Sequence, residues 1–328
     1  MIIVTGGAGF IGSNIVASIC SDLNQKVIVC DKFESDQKWK NLSNSLVEDI
    51  VYPEQLNEFL EKFSSEIKVI IHMGAISSTT VTDSELAIST NYKFPKFLWE
   101  WSTNNQVPFF YASSAATYGN GDNGFDDDND IQKFQSLSPL NLYGWSKHLF
   151  DLWVLNQINN SLACPPRWAG LKFFNVYGQN EYHKEDMQSL IAKNFKNVMS
   201  GNPVKLFKSY QSDYADGGQL RDFIYVNDCV SVINWLLTGN RLSKIYNVGT
   251  GVARSFNDLI TCLGNSIGKT PVIEFIDMPD DIKKNYQYFT QAKIENIQNA
   301  GYDKPFTSLE DGVDNYVKNY LNTDNPYR

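Results

Sequence analysis

Short apolar runs alternate with longer amphipathic stretches through the first half of the chain. Residues 2–5, 26–30, 69–72, 108–112 and 170–174 are rich in β-branched or aromatic side chains and read as buried parallel strands. Between them, residues 11–20, 53–63, 91–102 and 143–158 read as helices. A strand–helix rhythm of this kind implies an α/β fold, a doubly wound parallel sheet with helices on both faces. After residue 174 the rhythm loosens. Residues 177–184 and 208–218 read as polar loops and 187–199 as a helix, and the rest, ending in 310–321, as part of a smaller mixed lobe. Residues 221–225, 227–238 and 245–248 read as one more strand–helix–strand unit returning to the sheet.

The first strand runs into Gly6-Gly7-Ala8-Gly9-Phe10-Ile11-Gly12. This stretch fits G-x-x-G-x-x-G at Gly6, Gly9 and Gly12 and, from Gly7, G-x-G-x-x-G. Glycines permit a tight turn and let the backbone approach a pyrophosphate, whose charge meets free N–H groups at the start of the next helix. The strand before, the helix after and Asp31 closing the second strand agree with a Rossmann-type dinucleotide site. Asp31 stands about 20 residues beyond the glycines, where a carboxylate accepts hydrogen bonds from the adenosine ribose of NAD. Lys32, Lys38 and Lys40 follow closely and can equally embrace the 2′-phosphate of NADP, so these residues leave the two cofactors open. The expected division is a dinucleotide-binding domain at 1–176 plus 222–248, and a smaller mixed α/β C-terminal substrate lobe at 177–221 plus 249–328.

Tyr143-Gly144-Trp145-Ser146-Lys147 is a Y-x-x-x-K pair on a helix, so phenol and ammonium share one face. A tyrosine near pKa 10 is a poor base at neutral pH, and a neighbouring ammonium lowers that value. Lowering it by about three units corresponds to roughly 4 kcal/mol of differential stabilisation. Residues 111–119 follow a strand end, where open α/β sheets hold their ligands, and the hydroxyl of Ser114 there suits a hydrogen bond to a reacting oxygen.

A formal net charge of −9 argues against a nucleic-acid or anionic-membrane partner, because phosphate backbones demand clustered Lys and Arg. Cys20, Cys30, Cys164, Cys229 and Cys262 lie far apart and read as free thiols. His72, His148 and His183 show no metal-ligand spacing, and no metal is expected. The start Met1-Ile2-Ile3-Val4 has no basic segment before the glycines, and no apolar run approaches the roughly 20 residues needed to span a bilayer. A cytoplasmic location is expected. Asp126, Asp127 and Asp128 fall in a glycine-rich stretch, 119–130, that reads as a solvated loop.

Over essentially its whole length the chain resembles the extended short-chain dehydrogenases/reductases that act on nucleotide sugars. The glycine turn and Y-x-x-x-K mark the superfamily. Ser77-Ser78-Thr79-Thr80, Asn175-Val176-Tyr177-Gly178 followed by His183-Lys184, and Phe289-Thr290-Gln291-Ala292 point within it to epimerases of an ADP-linked heptose. The resemblance implies bound NADP, with NAD the alternative, a transient ketone at C6 of the sugar, and reduction on its opposite face. The product would feed lipopolysaccharide core synthesis. It makes Tyr143 the first catalytic base and Lys184 the second, with Lys147 holding the nicotinamide ribose. Met73, Gly74, Ala75, Ile76, Ser77, Asn91, Val176 and Lys184 would join the glycine turn, Phe10 and Ile11 around the cofactor. Ser114, Asn175 and Phe207 would contact substrate, and Arg221 and Tyr286 the nucleotide diphosphate. A homo-oligomer is implied. Four positions depart from the family pattern: Lys172 and Gln179 replace the usual arginine and proline, and Asp186 and Lys193 stand where serine and histidine usually meet substrate. A nucleotide-sugar 4-epimerase is the competing reading, for which Lys184 would be a bystander. A 4,6-dehydratase is disfavoured because Ala115 and Ala116, not an acid, follow Ser114.

Overall fold

The computed structural model describes residues 1–33, 37–239, 241–283 and 286–328. Among them the strands are β1 (Ile2–Thr5), β2 (Val27–Cys30), β3 (Asp49–Val51), β4 (Val69–His72), β5 (Phe109–Ser114), β6 (Trp168–Phe173), β7 (Asn175–Tyr177), β8 (Val204–Phe207), β9 (Leu220–Tyr225), β10 (Lys244–Val248), β11 (Ala253–Ser255) and β12 (Ile273–Ile276). Seven of them form one sheet in the order β10-β6-β5-β4-β1-β2-β3. Every neighbouring pair in it is parallel. The chain winds outward from β1 through β2 to β3, then restarts on the other side at β4. The crevice between the carboxyl ends of β1 and β4 is therefore the switch point at which such sheets bind ligands.

Alternation along the strands feeds two cores. Ile2 and Val4 pack with Ile15, Val16 and Ile19 of the helix Phe10–Ser21 and with the helix Val226–Leu237 on one face. Ile3, Ile70 and Phe109 pack with Leu98, Trp99 and Phe150 on the other. Each such side chain contributes about 1.5–3 kcal/mol by leaving water. A third core, with Ile191, Phe195, Leu206, Ile260 and Val313, belongs to a smaller lobe. Here the helices Leu190–Ser200, Phe256–Ile267 and Leu309–Tyr316 pack beside the sheets β12-β8 and β11-β9-β7.

Two sequence expectations change, and one strand, β3, is not foreseen. The expected return of residues 221–225 to the main sheet does not occur, because β10 occupies the edge of β6, from Lys244 opposite Ala169 to Val248 opposite Phe173. β9 pairs instead with β7 and β11. Its buried Asp222 carboxylate accepts the N–H groups of Thr250, Gly251 and Ala292 at 2.7, 2.9 and 2.9 Å. β3 has three residues, too few to show a period. The acidic run is not wholly solvated either: Asp127 is 1% exposed. It accepts Asn247 N and Asn296 Nδ2, each at 2.6 Å, and so pins β10.

Lys172 is also inside, on β6. Its Nζ lies 2.8 Å from Asp151 Oδ2, both side chains being 0% exposed, and the rings of Tyr118 and Phe134 flank it. Ser113 Oγ at 2.6 Å and Tyr111 OH at 3.1 Å donate to the same carboxylate. Removing one partner strands a buried charge, so Lys172→Met is expected to cost about 3–5 kcal/mol in urea unfolding, with most of it recovered in Lys172→Met/Asp151→Asn. A loss below about 1 kcal/mol would mean the pair is not coupled to the fold.

Candidate active site

The cradle is built by exclusion. Gly6 has φ +66°, and a Cβ there would lie 2.4 Å from Gly74 N, so the turns leaving β1 and β4 touch backbone to backbone. A Cβ on Gly12 would lie 2.0 Å from Gly6 O, which fixes glycine where the helix crosses the turn. That helix begins at Gly9 with no side-chain cap and no acid in its first turn, leaving its N–H groups for an outside anion. A cleft of about 690 Å³ opens at this point. A helix start with no cap of its own, facing a cleft walled by glycine, fits the pyrophosphate of a nicotinamide dinucleotide.

Asp31 is committed. Its Oδ2 accepts Ala8 N at 2.8 Å, and its Oδ1 accepts Lys38 Nζ at 2.6 Å and Lys32 N at 2.7 Å. Lys38 thereby stands at the cleft wall, whereas Lys32 Nζ pairs with Glu54. The glycine turn, Phe10, Ile11, residues 73–75 and Ser77 line the cleft. Ile76 and Asn91 do not, and their link lies behind it. Asn91 Oδ1 accepts Ile76 N and Asn91 Nδ2 donates to Ile76 O, both at 2.9 Å, so a fully buried amide shapes the loop that does line it.

The helix Leu142–Asn159 is capped by Asn141, whose Oδ1 accepts Gly144 N at 2.8 Å. A Cβ on Gly144 would lie 2.6 Å from Ala116 O. This close approach brings Tyr143 against the exit of β5, beside Ser114. Lys147, one turn on, is buried and donates to Ala112 O at 3.0 Å. The expected lowering of the Tyr143 pKa by Lys147 is not what this chain's own groups produce. Burial pushes the phenol up, and the Ser114 hydrogen bond opposes that.

Burial pushes Lys147 down to about 8. Its folded pKa lies below the ordinary value near 10.4, so between these values the unfolded chain binds more protons and stability rises with pH. The stability of the wild type relative to Lys147→Met is therefore expected to rise by about 3 kcal/mol from pH 7 to pH 10.5 in urea titrations. A flat difference would contradict a buried ammonium.

Lys184 also lines the cleft, on the 3-10 segment Tyr182–Met187. It is half-buried, with Nζ 5.3 Å from the centre of the Phe10 ring. Burial lowers its pKa and Glu181 raises it. Glu185, the next residue, holds φ +46° and ψ −115°, a conformation that costs a side-chain-bearing residue about 1–3 kcal/mol. Asn175 and Val176 also line the cleft.

The remaining candidates are not all gathered there. Asp186 and Lys193 are exposed, and Lys193 Nζ donates to the Asp186 carbonyl. Arg221 lies with its guanidinium 5.3 Å from the Tyr286 ring and 5.6 Å from Phe256, and Phe207 stands 6.3 Å from Tyr286. This cluster meets the cleft through Phe256. Sequence reasoning missed His183 and Gln287, both on the cleft wall. His183 Nδ1 lies 3.0 Å from Asn41 Nδ2, and burial, with Lys38 and Lys184, brings its pKa down to about 4. Its place beside Lys184 was the only available signal.

Residues 2–249 match the NAD dependent epimerase/dehydratase family. The chain belongs to that family. Its relatives include proteins of similar length. It is 42% identical to an ADP-L-glycero-D-manno-heptose-6-epimerase of Fusobacterium nucleatum and 43% identical to one of Nitratidesulfovibrio vulgaris, covering 100% of each chain in both alignments. The crystal structure of the Helicobacter pylori ADP-L-glycero-D-manno-heptose-6-epimerase superposes with a TM-score of 0.77 at 30% identity, covering 97% of this chain and 95% of that one. Among the described residues of this epimerase/dehydratase, no helix is long and apolar enough to cross a membrane.

Proposed function

We propose that this enzyme inverts C6 of ADP-D-glycero-D-manno-heptose to give ADP-L-glycero-D-manno-heptose. The observation that carries the reading is that one cleft is lined both by Tyr143 with its neighbour Ser114 and by a half-buried lysine, Lys184, from a separate segment of the chain. Where the ketone is reduced without the whole sugar turning over, inverting a secondary alcohol needs a proton carrier at each of the two positions its oxygen takes. NADP, held by the glycine turn and the start of the helix Phe10–Ser21, would supply the hydride acceptor and donor. Tyr143 takes the hydroxyl proton on one face, and Ser114, donating to the phenolate, favours its formation. Lys147 holds a positive charge one helical turn away. Lys184, with its pKa lowered by burial, returns a proton to the ketone oxygen as the opposite face is reduced. The preference for NADP rests on Lys38, which the ion pair with Asp31 holds at the cleft wall, within reach of a ribose phosphate. Glycines and the uncapped helix start would hold the pyrophosphate.

The test is to denature purified protein, identify the released cofactor by mass spectrometry, and follow ADP-D-glycero-D-manno-heptose by NMR with native protein and no added cofactor. Released NADP and inversion at C6 are expected. An unchanged heptose with intact cofactor would sink the substrate assignment.

A further inference from the structure

Regular secondary structure does little to hold the short segment that carries Lys184, although Gln188 Nε2 donates to Tyr182 O at 2.6 Å within it. The segment between β7 and the helix Leu190–Ser200 makes one 3-10 stretch, broken at Glu185 by a backbone conformation that side chains rarely adopt. Its two ends are joined instead by one carboxylate. Glu181 is 0% exposed. Its Oε1 accepts Gly178 N at 3.2 Å and Ser189 Oγ at 2.7 Å, and its Oε2 accepts Ser189 N at 2.5 Å. Gly178 precedes the segment and Ser189 follows it as the N-cap of the next helix. Tyr316 OH, from the helix Leu309–Tyr316, donates to Oε1 at 3.1 Å. The Glu181 carbonyl accepts Lys184 N at 3.0 Å. The two backbone partners can only donate, and the two hydroxyls are free to, so the carboxylate is satisfied in its ionised form.

Glu181 does not line the cleft, so it acts through what it holds. We propose that Glu181 is the positioning residue of Lys184: its carboxylate clamps both ends of the segment and ties it to the C-terminal helix, keeping the Lys184 ammonium at the cleft wall. The inference rests on the role given to Lys184 above. The carboxylate also opposes the burial that lowers the Lys184 pKa.

The test compares Glu181→Gln, Lys184→Met and the double variant in cofactor-loaded protein. Misplacing a reacting group by about 1 Å can cost on the order of 10²-fold, so Glu181→Gln is expected to lower kcat by about that factor with KM little changed. In the Lys184→Met background the same substitution should lower kcat by less than about twofold, because residues acting as a unit are not additive. Equal losses in both backgrounds, the signature of a general structural role, would overturn the proposal. A second readout needs no substrate: trace acetylation of Lys184 at pH 7, followed by peptide mass spectrometry, should speed up at least about tenfold in Glu181→Gln as the amine is freed and its pKa falls. Unchanged labelling would refute the clamp even if the heptose proves the wrong substrate, whereas faster labelling without heptose turnover would refute the substrate alone. Tyr316→Phe removes one donor and leaves the ring, so it should give a smaller increase in labelling if Glu181→Gln fails to fold.

Discussion

Tyr143→Phe is expected to lower epimerase turnover by about 10³-fold while the protein keeps its cofactor. The substitution removes one oxygen and leaves the ring, so the helix Leu142–Asn159, its Asn141 cap and the Gly144 contact with Ala116 persist. What disappears is the phenol beside Ser114, and with it the first proton acceptor that this reading assigns. A loss of about 10³ corresponds to roughly 4 kcal/mol of transition-state stabilisation, in the range of one well-placed acid/base. The measurement is kcat by NMR of the heptose, alongside mass spectrometry of cofactor released from the same preparation. A variant within about tenfold of wild type would remove Tyr143 from the chemistry. Loss of cofactor together with activity would assign the tyrosine to binding.

Lys184→Met is expected to cost turnover by about 10²–10³-fold, again with the cofactor retained. Methionine fills much of the volume against Phe10 and cannot carry a proton. This variant also separates the two epimerisation readings. Inversion by a two-sided site needs a second proton carrier, whereas a 4-epimerase that turns its ketone over before reducing it needs only Tyr143 and Lys147. Near-normal turnover would therefore favour the second mechanism. A large loss, with Tyr143→Phe also inactive, fits one group on each face.

Much of this was legible in the chain because it is local. The glycine turn and the Tyr143–Lys147 spacing each lie within about two helical turns, and strands β1, β2, β4, β5 and β6 announce themselves by composition. Other features depend on partners distant in sequence. Nothing around residue 221 tells that β10 takes the edge of β6, leaving β9 to pair elsewhere. Asp127 looks like its neighbours and is buried only because Asn247 and Asn296 come to it. Lys184 sits in a stretch whose composition suggests a solvated loop, and resemblance alone singled it out. Glu181 gives no signal at all, since its four donors come from residues 178, 189 and 316.

The pairing of β10 with β6 also sets the order in which the protein is assembled. Lys244 finds its place opposite Ala169, far back along the chain. Until residues 244–248 have left the ribosome, β6 presents an open edge whose six residues are all buried in the finished sheet, and late, non-local closure of this kind is slow. The nascent chain must keep that edge from pairing with another copy of itself while the helix Val226–Leu237 is being made. Aggregation during synthesis, rather than unfolding of the finished enzyme, is then the hazard that a weakened β10 or its Asp127 pin would bring.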